Sequence, residues 1–238
     1  MSARLTRLSL AVMMSSIGAA TAFSPRNGGD VDVDGLPYYV QNANRPWSLE
    51  SPEPGTLRFE LRPGDVWSQD DPIKERTEIA GETVYAAGED ITIRYVFRVE
   101  PGPENTSAWL LIGQFHATDE FSGPIFAVEL IGEHLAIHLR YKLPGDQYED
   151  WFAFVDDEPI VRGKYYALEA ELHTEDDESG SVDVWLDGEK IVDYSGAVGY
   201  GNGVYWKQGI YRAASPEEIA VDYRGLEIDG AAQGDAVE

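Results

Sequence analysis

The sequence predicts an all-β protein, an antiparallel two-sheet β-sandwich of jelly-roll type, and three observations carry that expectation. Short segments that alternate apolar with polar residues follow one another from about residue 56 to residue 228. Turn-forming Gly, Pro, Asn and Asp separate them at close intervals. No segment sustains the 3.6-residue apolar period of an amphipathic helix. Many short strands joined by tight turns suit a double sheet that buries one face of each strand.

Residues 1–22 have the build of a secretory signal. Arg4 and Arg7 precede a short apolar run, and Ala20-Thr21-Ala22 offers a small-residue cleavage site. The run is too short to span a bilayer and no other segment approaches the needed length, so a secreted or periplasmic protein is expected. Cysteine is absent, so stability must come from the core and not from disulfides. Residues 23–55, rich in Gly, Pro, Asn and Asp, read as an extended lead-in with little regular structure. Within it, Asp30-Val31-Asp32-Val33-Asp34-Gly35 has the acidic spacing of a calcium loop. The twelfth position is Gln41, however, where an EF-hand places a bidentate Glu, and an acidic turn is the better account.

The sandwich itself is expected over residues 56–230. Leu57, Phe59 and Leu61 alternate with Arg58, Glu60 and Arg62, and Ile91, Ile93, Tyr95 and Phe97 with Thr92, Arg94, Val96 and Arg98. Strands at 125–131 and 135–141 meet through Gly132-Glu133. Those at 182–186 and 190–194 meet through Asp187-Gly188, a strong hairpin signal that recurs in lectin-like, concanavalin-like sandwiches and speaks of fold more than function. Segments 165–172, 204–211 and 219–228 complete the set, and 231–238 reads as a disordered tail.

The chain carries 43 acidic and 18 basic residues, a net charge of −25; without Arg4 and Arg7 the balance is 43 to 16, or −27. Such a surface repels nucleic acid and anionic membranes, and suits a salty medium that screens self-repulsion. Basic residues gathered on one face therefore stand out. The stretch Trp109 to His116 is apolar until it sets an amide and an imidazole two apart. Strict alternation places Leu110, Ile112, Gln114 and His116 on one side and Trp109, Leu111, Gly113 and Phe115 on the other. Two further segments carry polar pairs. In Glu75-Arg76-Thr77-Glu78-Ile79, Arg76 and Glu78 share a face; in 205–212, Tyr205, Lys207 and Tyr211 share one, with Gly209 between them. Each has a plainer account alone: an exposed ion pair for Arg76 and Glu78, a strand-end histidine for His116, core tyrosines for Tyr205 and Tyr211. His134, His138, Arg140 and Lys142 read as a solvated stripe, with no third ligand for a metal.

Arg-Thr-Glu, then Gln-x-His, then Tyr-x-Lys-x-Gly-x-Tyr, in that order, resembles the jelly-roll polysaccharide lyases: family 7 alginate lyases, glucuronan lyases and the heparin lyase I-like group. Gly209-Ile210-Tyr211-Arg212 is more similar to the last two, and the resemblance spans about residues 57–226. It implies β-elimination on an acidic polysaccharide by a monomer. Arg76 and Gln114 neutralise the uronate carboxylate, Tyr211 protonates the leaving oxygen, and His116 or Tyr211 itself takes the C5 proton. Lys207, Tyr205, Arg140, Lys142 and Glu78 would hold the sugars. No cofactor is required, and a structural calcium ion is admitted. Two other functions fit the fold. A glycoside hydrolase needs two carboxyl groups flanking the bond, for which Glu169 and Glu171 lack the accompanying motif. A carbohydrate-binding module could use Trp151, Trp185 and Trp206 as stacking platforms.

Overall fold

The computed structural model describes residues 28–118, 123–145 and 147–233. The signal-like segment, and the tail beyond Gln233, lie outside them. Fifteen strands run in chain order: β1 (Asp30–Val33), β2 (Leu36–Asn42), β3 (Leu49–Glu50), β4 (Thr56–Leu61), β5 (Lys74–Gly81), β6 (Asp90–Val99), β7 (Leu110–Ala117), β8 (Pro124–Ile131), β9 (His134–Leu143), β10 (Gln147–Pro159), β11 (Tyr166–His173), β12 (Ser181–Leu186), β13 (Glu189–Ser195), β14 (Val204–Ala213) and β15 (Ile219–Gly230). They form an eight-stranded sheet, β1-β2-β5-β14-β7-β8-β9-β10, and a seven-stranded sheet, β13-β12-β11-β6-β15-β4-β3, with every strand pair antiparallel. The expected two-sheet sandwich is what forms. Phe59, Phe97, Ile112, Phe115, Trp206, Ile210 and Tyr223 are among the side chains buried in its single core.

Two stretches depart from the expectation. The lead-in is not irregular: Asp34-Gly35, both at positive φ (53° and 88°), turns β1 back onto β2 in a two-residue hairpin. Asp32 accepts a bond from the Gly35 N–H, so the stretch is the acidic turn that the sequence favours. Among the described residues no cluster of three or more His, Cys, Asp or Glu is placed to hold a metal. The tail is pinned as far as Gln233, whose N–H bonds the Val84 carbonyl. The second departure is β10, an edge strand exposed along most of its length and rich in acid, which shows little apolar alternation.

Strict alternation also fails inside β7. Ile112 and Gly113 both lie opposite Val128, a β-bulge that turns two successive residues inward. Trp109 and Leu111 therefore share the outer face with Gln114 and His116, contrary to the expected split. Gly113 permits this because a Cβ there would meet the Trp206 ring at 2.8 Å. Across the strand gap Gly209 adopts φ 132°, and a Cβ would lie 2.3 Å from the Thr77 carbonyl oxygen, so only glycine fits. The Tyr223 hydroxyl reaches over from the other sheet and donates toward the Ile112 and Gly209 carbonyls at the bulge. Tyr223→Phe leaves both less satisfied and is expected to cost about 1–3 kcal/mol, read as a lower denaturant midpoint at unchanged slope.

Candidate active site

β5, β14 and β7 are neighbours, and their register brings the three motifs onto one outer face: Tyr211 lies opposite Arg76, Gly209 opposite Glu78, Lys207 opposite Gln114 and Tyr205 opposite His116. Glu78 is the hub. Wholly buried, it accepts bonds from Gln114 Nε2 (2.6 Å), Lys207 Nζ (2.7 Å) and Arg76 Nη1 (2.8 Å). Burial pushes the Glu78 carboxyl up, but the Lys207 and Arg76 charges and the donated bonds outweigh it and hold it below its ordinary value. Lys207 is shifted down, because burial outweighs its pairing with Glu78.

Arg76 has further partners that the sequence reading missed. Its Nε and Nη2 grip the two oxygens of Asp70, at 2.7 and 2.9 Å, and Nη1 also reaches Gln41 at 3.2 Å. Its guanidinium lies 3.7 Å from the centre of the Tyr211 ring and 5.3 Å from that of Trp67. Asp70 and Trp67 come from the loop between β4 and β5, where no spacing marks them. Gln41 lies on β2, inside the stretch read as irregular, directly opposite Glu78. Asp70, Glu78, Arg76 and Lys207 carry two charges of each sign, so a carboxylate approaching Gln114 meets a locally balanced cluster on an acidic protein.

His116 Nδ1 lies 2.9 Å from the Ala117 carbonyl oxygen. A carbonyl can only accept, so Nδ1 carries the hydrogen and Nε2 is left with its lone pair. Burial pushes the imidazole below its ordinary value, against the Ala117 bond, which favours the neutral base near pH 7. The Tyr205 ring sits 5.6 Å from it, its phenol shifted up by burial and by Glu78. Tyr211, half-buried, is packed between Arg76 and Trp109, whose ring meets it edge-on at 4.8 Å. Arg140 and Lys142 stand apart on β9, two strands beyond β7. Arg140 pairs with Asp150 at 3.4 Å and lies against Gly123, where a Cβ would meet its guanidinium. Glu78 binds the other site residues from beneath and spends both oxygens on Gln114, Lys207 and Arg76, so its assignment to sugar contact does not fit its hydrogen bonding. Glu169 is on the opposite sheet, paired with Arg94 at 2.7 Å.

Residues 48–227 match the family model described as polysaccharide lyase. The chain belongs to the polysaccharide lyases. Solved structures share its fold at low identity. An endo-β-1,4-glucuronan lyase from the fungus Trichoderma reesei superposes with a TM-score of 0.64 at 13% identity, over 89% of this chain and 95% of that one. The alginate lyase PA1167 from Pseudomonas aeruginosa gives 0.54 at 15%, over 82% and 98%. An alginate lyase from Klebsiella pneumoniae gives 0.55 at 13%, over 77% and 84%. No curated protein sequence matches. Among the described residues of this polysaccharide lyase, three carboxylates on the candidate face are engaged as ligands of other side chains. Glu78 takes three donors, Asp70 holds Arg76, and Glu129 accepts from His138 Nδ1 at 2.8 Å. That is unlike the pair of free carboxyl groups flanking a bond that hydrolysis requires. Among the described residues no helix is long and apolar enough to cross a membrane.

Proposed function

We propose that this polysaccharide lyase is an exported enzyme that cleaves a uronate polymer, glucuronan in first place and an alginate-like chain in second, by β-elimination. The observation that carries the reading is the convergence of Gln114, Lys207 and Arg76 on Glu78, on the same face as His116, whose Nε2 holds the ring's lone pair, and as the Tyr211 phenol. The C5 proton of a uronate is barely acidic while its carboxylate is ionised. Gln114 donates to that carboxylate without competing for the proton, and the Arg76 and Lys207 charges favour the enolate-like charge that develops. A preorganised donor of this kind is worth about 3–4 kcal/mol in comparable sites. His116 Nε2 takes the C5 proton, the C4–C5 double bond forms as the C4–O bond breaks, and the Tyr211 hydroxyl protonates the departing oxygen. The imidazolium then returns a proton to the phenolate, so the net transfer is from C5 to the leaving sugar. Tyr205 and Lys207 hold the reacting unit, with Arg140 and Lys142 further along the chain.

Few cations line the face, which favours a plain uronate polymer over a densely sulfated one. The test is to incubate the protein with glucuronan, alginate and heparin and follow ultraviolet absorbance of the conjugated double bond. Absorbance with glucuronan supports the reading, and reducing ends without absorbance overturn it in favour of hydrolysis. Gln114→Ala is expected to lower kcat about a hundredfold and to change KM little, because its spare N–H matters most as charge develops. Equal losses in kcat and in affinity would make it a binding residue instead.

A further inference from the structure

One row of directly opposed residues crosses the eight-stranded sheet on the candidate face: Lys207 on β14, Gln114 on β7, Ala127 on β8, His138 on β9 and Phe152 on β10. Its far end is built. His138 is held between Glu129, 2.8 Å from Nδ1, and Asp150, 3.3 Å from Nε2. Glu129 is itself buried, with only 5% of its surface accessible. Phe152 packs on the fixed imidazole with ring centres 4.5 Å apart, yet keeps 44% of its surface exposed. Tyr148, four residues along on the same face of β10, is 57% exposed. Phe152 and Tyr148 thus set two large exposed rings on one face of the edge strand, rimmed by polar groups, the kind of patch that marks a ligand-binding groove. Nothing in the elimination chemistry uses them.

We propose that Phe152, backed by His138, is an outer sugar subsite that holds one residue of the polymer by ring stacking and hydroxyl bonds, and not through a carboxylate. The inference rests on the lyase reading above and extends it along the chain. Phe152 lies three strand spacings from Gln114, about 14 Å at roughly 4.8 Å per strand. A pyranose is about as long as one spacing, so a chain following the row reaches Phe152 some three residues from the unit at Gln114. Among the described residues, the charged groups around His138 are Glu129 and Asp150, with Arg140 already paired to Asp150. Two carboxylates there disfavour a third, whereas a ring face and hydroxyl groups meet an aromatic plane and acceptors that suit them. The occupant is therefore a sugar whose carboxylate, where it has one, points away from the sheet.

The experiment compares Phe152→Ala and Phe152→Trp with wild type on glucuronan polymer and on its trisaccharide, at low and high salt. Expected is a three- to tenfold lower kcat/KM for Phe152→Ala on the polymer, carried by KM, with no change on the trisaccharide. Phe152→Trp restores the polymer rate, and the ratio holds at both salt concentrations, as stacking requires. Equal losses on both substrates, no loss on the polymer, or a loss that vanishes with salt overturns the subsite. A wild type that forms no unsaturated product from any uronate polymer overturns the lyase reading instead. Glucuronan binding by affinity electrophoresis then decides the subsite alone: retardation weakened by Phe152→Ala supports it, and unchanged or absent retardation overturns it.

Discussion

Tyr211→Phe is expected to reduce turnover by about a hundred- to ten-thousand-fold, the range that general acid catalysis supplies, while the protein stays folded. The substitution removes one hydroxyl and keeps the ring. The contacts that place the ring, with Arg76 at 3.7 Å and Trp109 at 4.8 Å, are contacts of its face and edge, and they persist in phenylalanine. Thermal unfolding should therefore move by no more than a few degrees, and substrate affinity should survive because Tyr205, Lys207 and Gln114 are untouched. Elimination and binding part company in this variant. Ultraviolet turnover on glucuronan, with KM measured alongside, checks it. A variant retaining more than about a tenth of wild-type turnover would falsify Tyr211 as proton donor, since loss of a general acid costs at least that much.

That Tyr211 shares a face with Tyr205 and Lys207 could be read from the sequence at strand spacing, whereas its role as proton donor is what the resemblance to the lyases implies. Arg76 and Glu78, Gln114 and His116, and Tyr205, Lys207 and Tyr211 each alternate on one strand, and β5, β14 and β7 turn out to be adjacent. Period-2 alternation says which residues share a face, and short loops limit how far apart neighbours can lie. What alternation cannot show is an interruption. The bulge at Ile112–Gly113 depends on the Trp206 ring across the gap, a contact between residues far apart in sequence, so the partners of Gln114 were assigned to the wrong side. The acidic turn at Asp34-Gly35 was legible as a turn, but not the pairing of β1 with β2 that it makes, because the surrounding Gly, Pro, Asn and Asp read as irregular. β10 was hidden by its exposure: an edge strand with both faces largely wet has no apolar face to alternate. Asp70 reaches Arg76 from an irregular loop, where position follows from tertiary packing and not from local pattern. Motifs on regular strands were legible; the groups that hold them were not.

Glu78→Gln tests what the hub does. The carboxamide fills nearly the same volume, but it cannot accept three donors with a full charge, and it leaves Lys207 buried without its anion. Removing one partner of a buried ion pair costs about 3–5 kcal/mol, so unfolding should shift by that amount, and Gln114 should lose its fixed orientation. Activity is expected to fall at least as far as in Gln114→Ala, because the donor, the ammonium and one bond to Arg76 are disturbed together. The pH dependence follows from the sign of the shift. Glu78 is held below its ordinary value of 4.5 in the folded protein, so its stabilisation is fully present above the unfolded-state value and is lost as pH falls through the folded one. Wild type should lose that increment below about pH 4.5, and Glu78→Gln should show a flatter acid limb from an already lower plateau. Adding Lys207→Met to Glu78→Gln removes the stranded ammonium and should return part of the stability, since a buried pair replaced as a unit is often near neutral. It should return none of the activity. Recovery of both would make the hub a device of folding alone; turnover below that of Lys207→Met alone shows that Glu78 also aims Gln114 at the sugar.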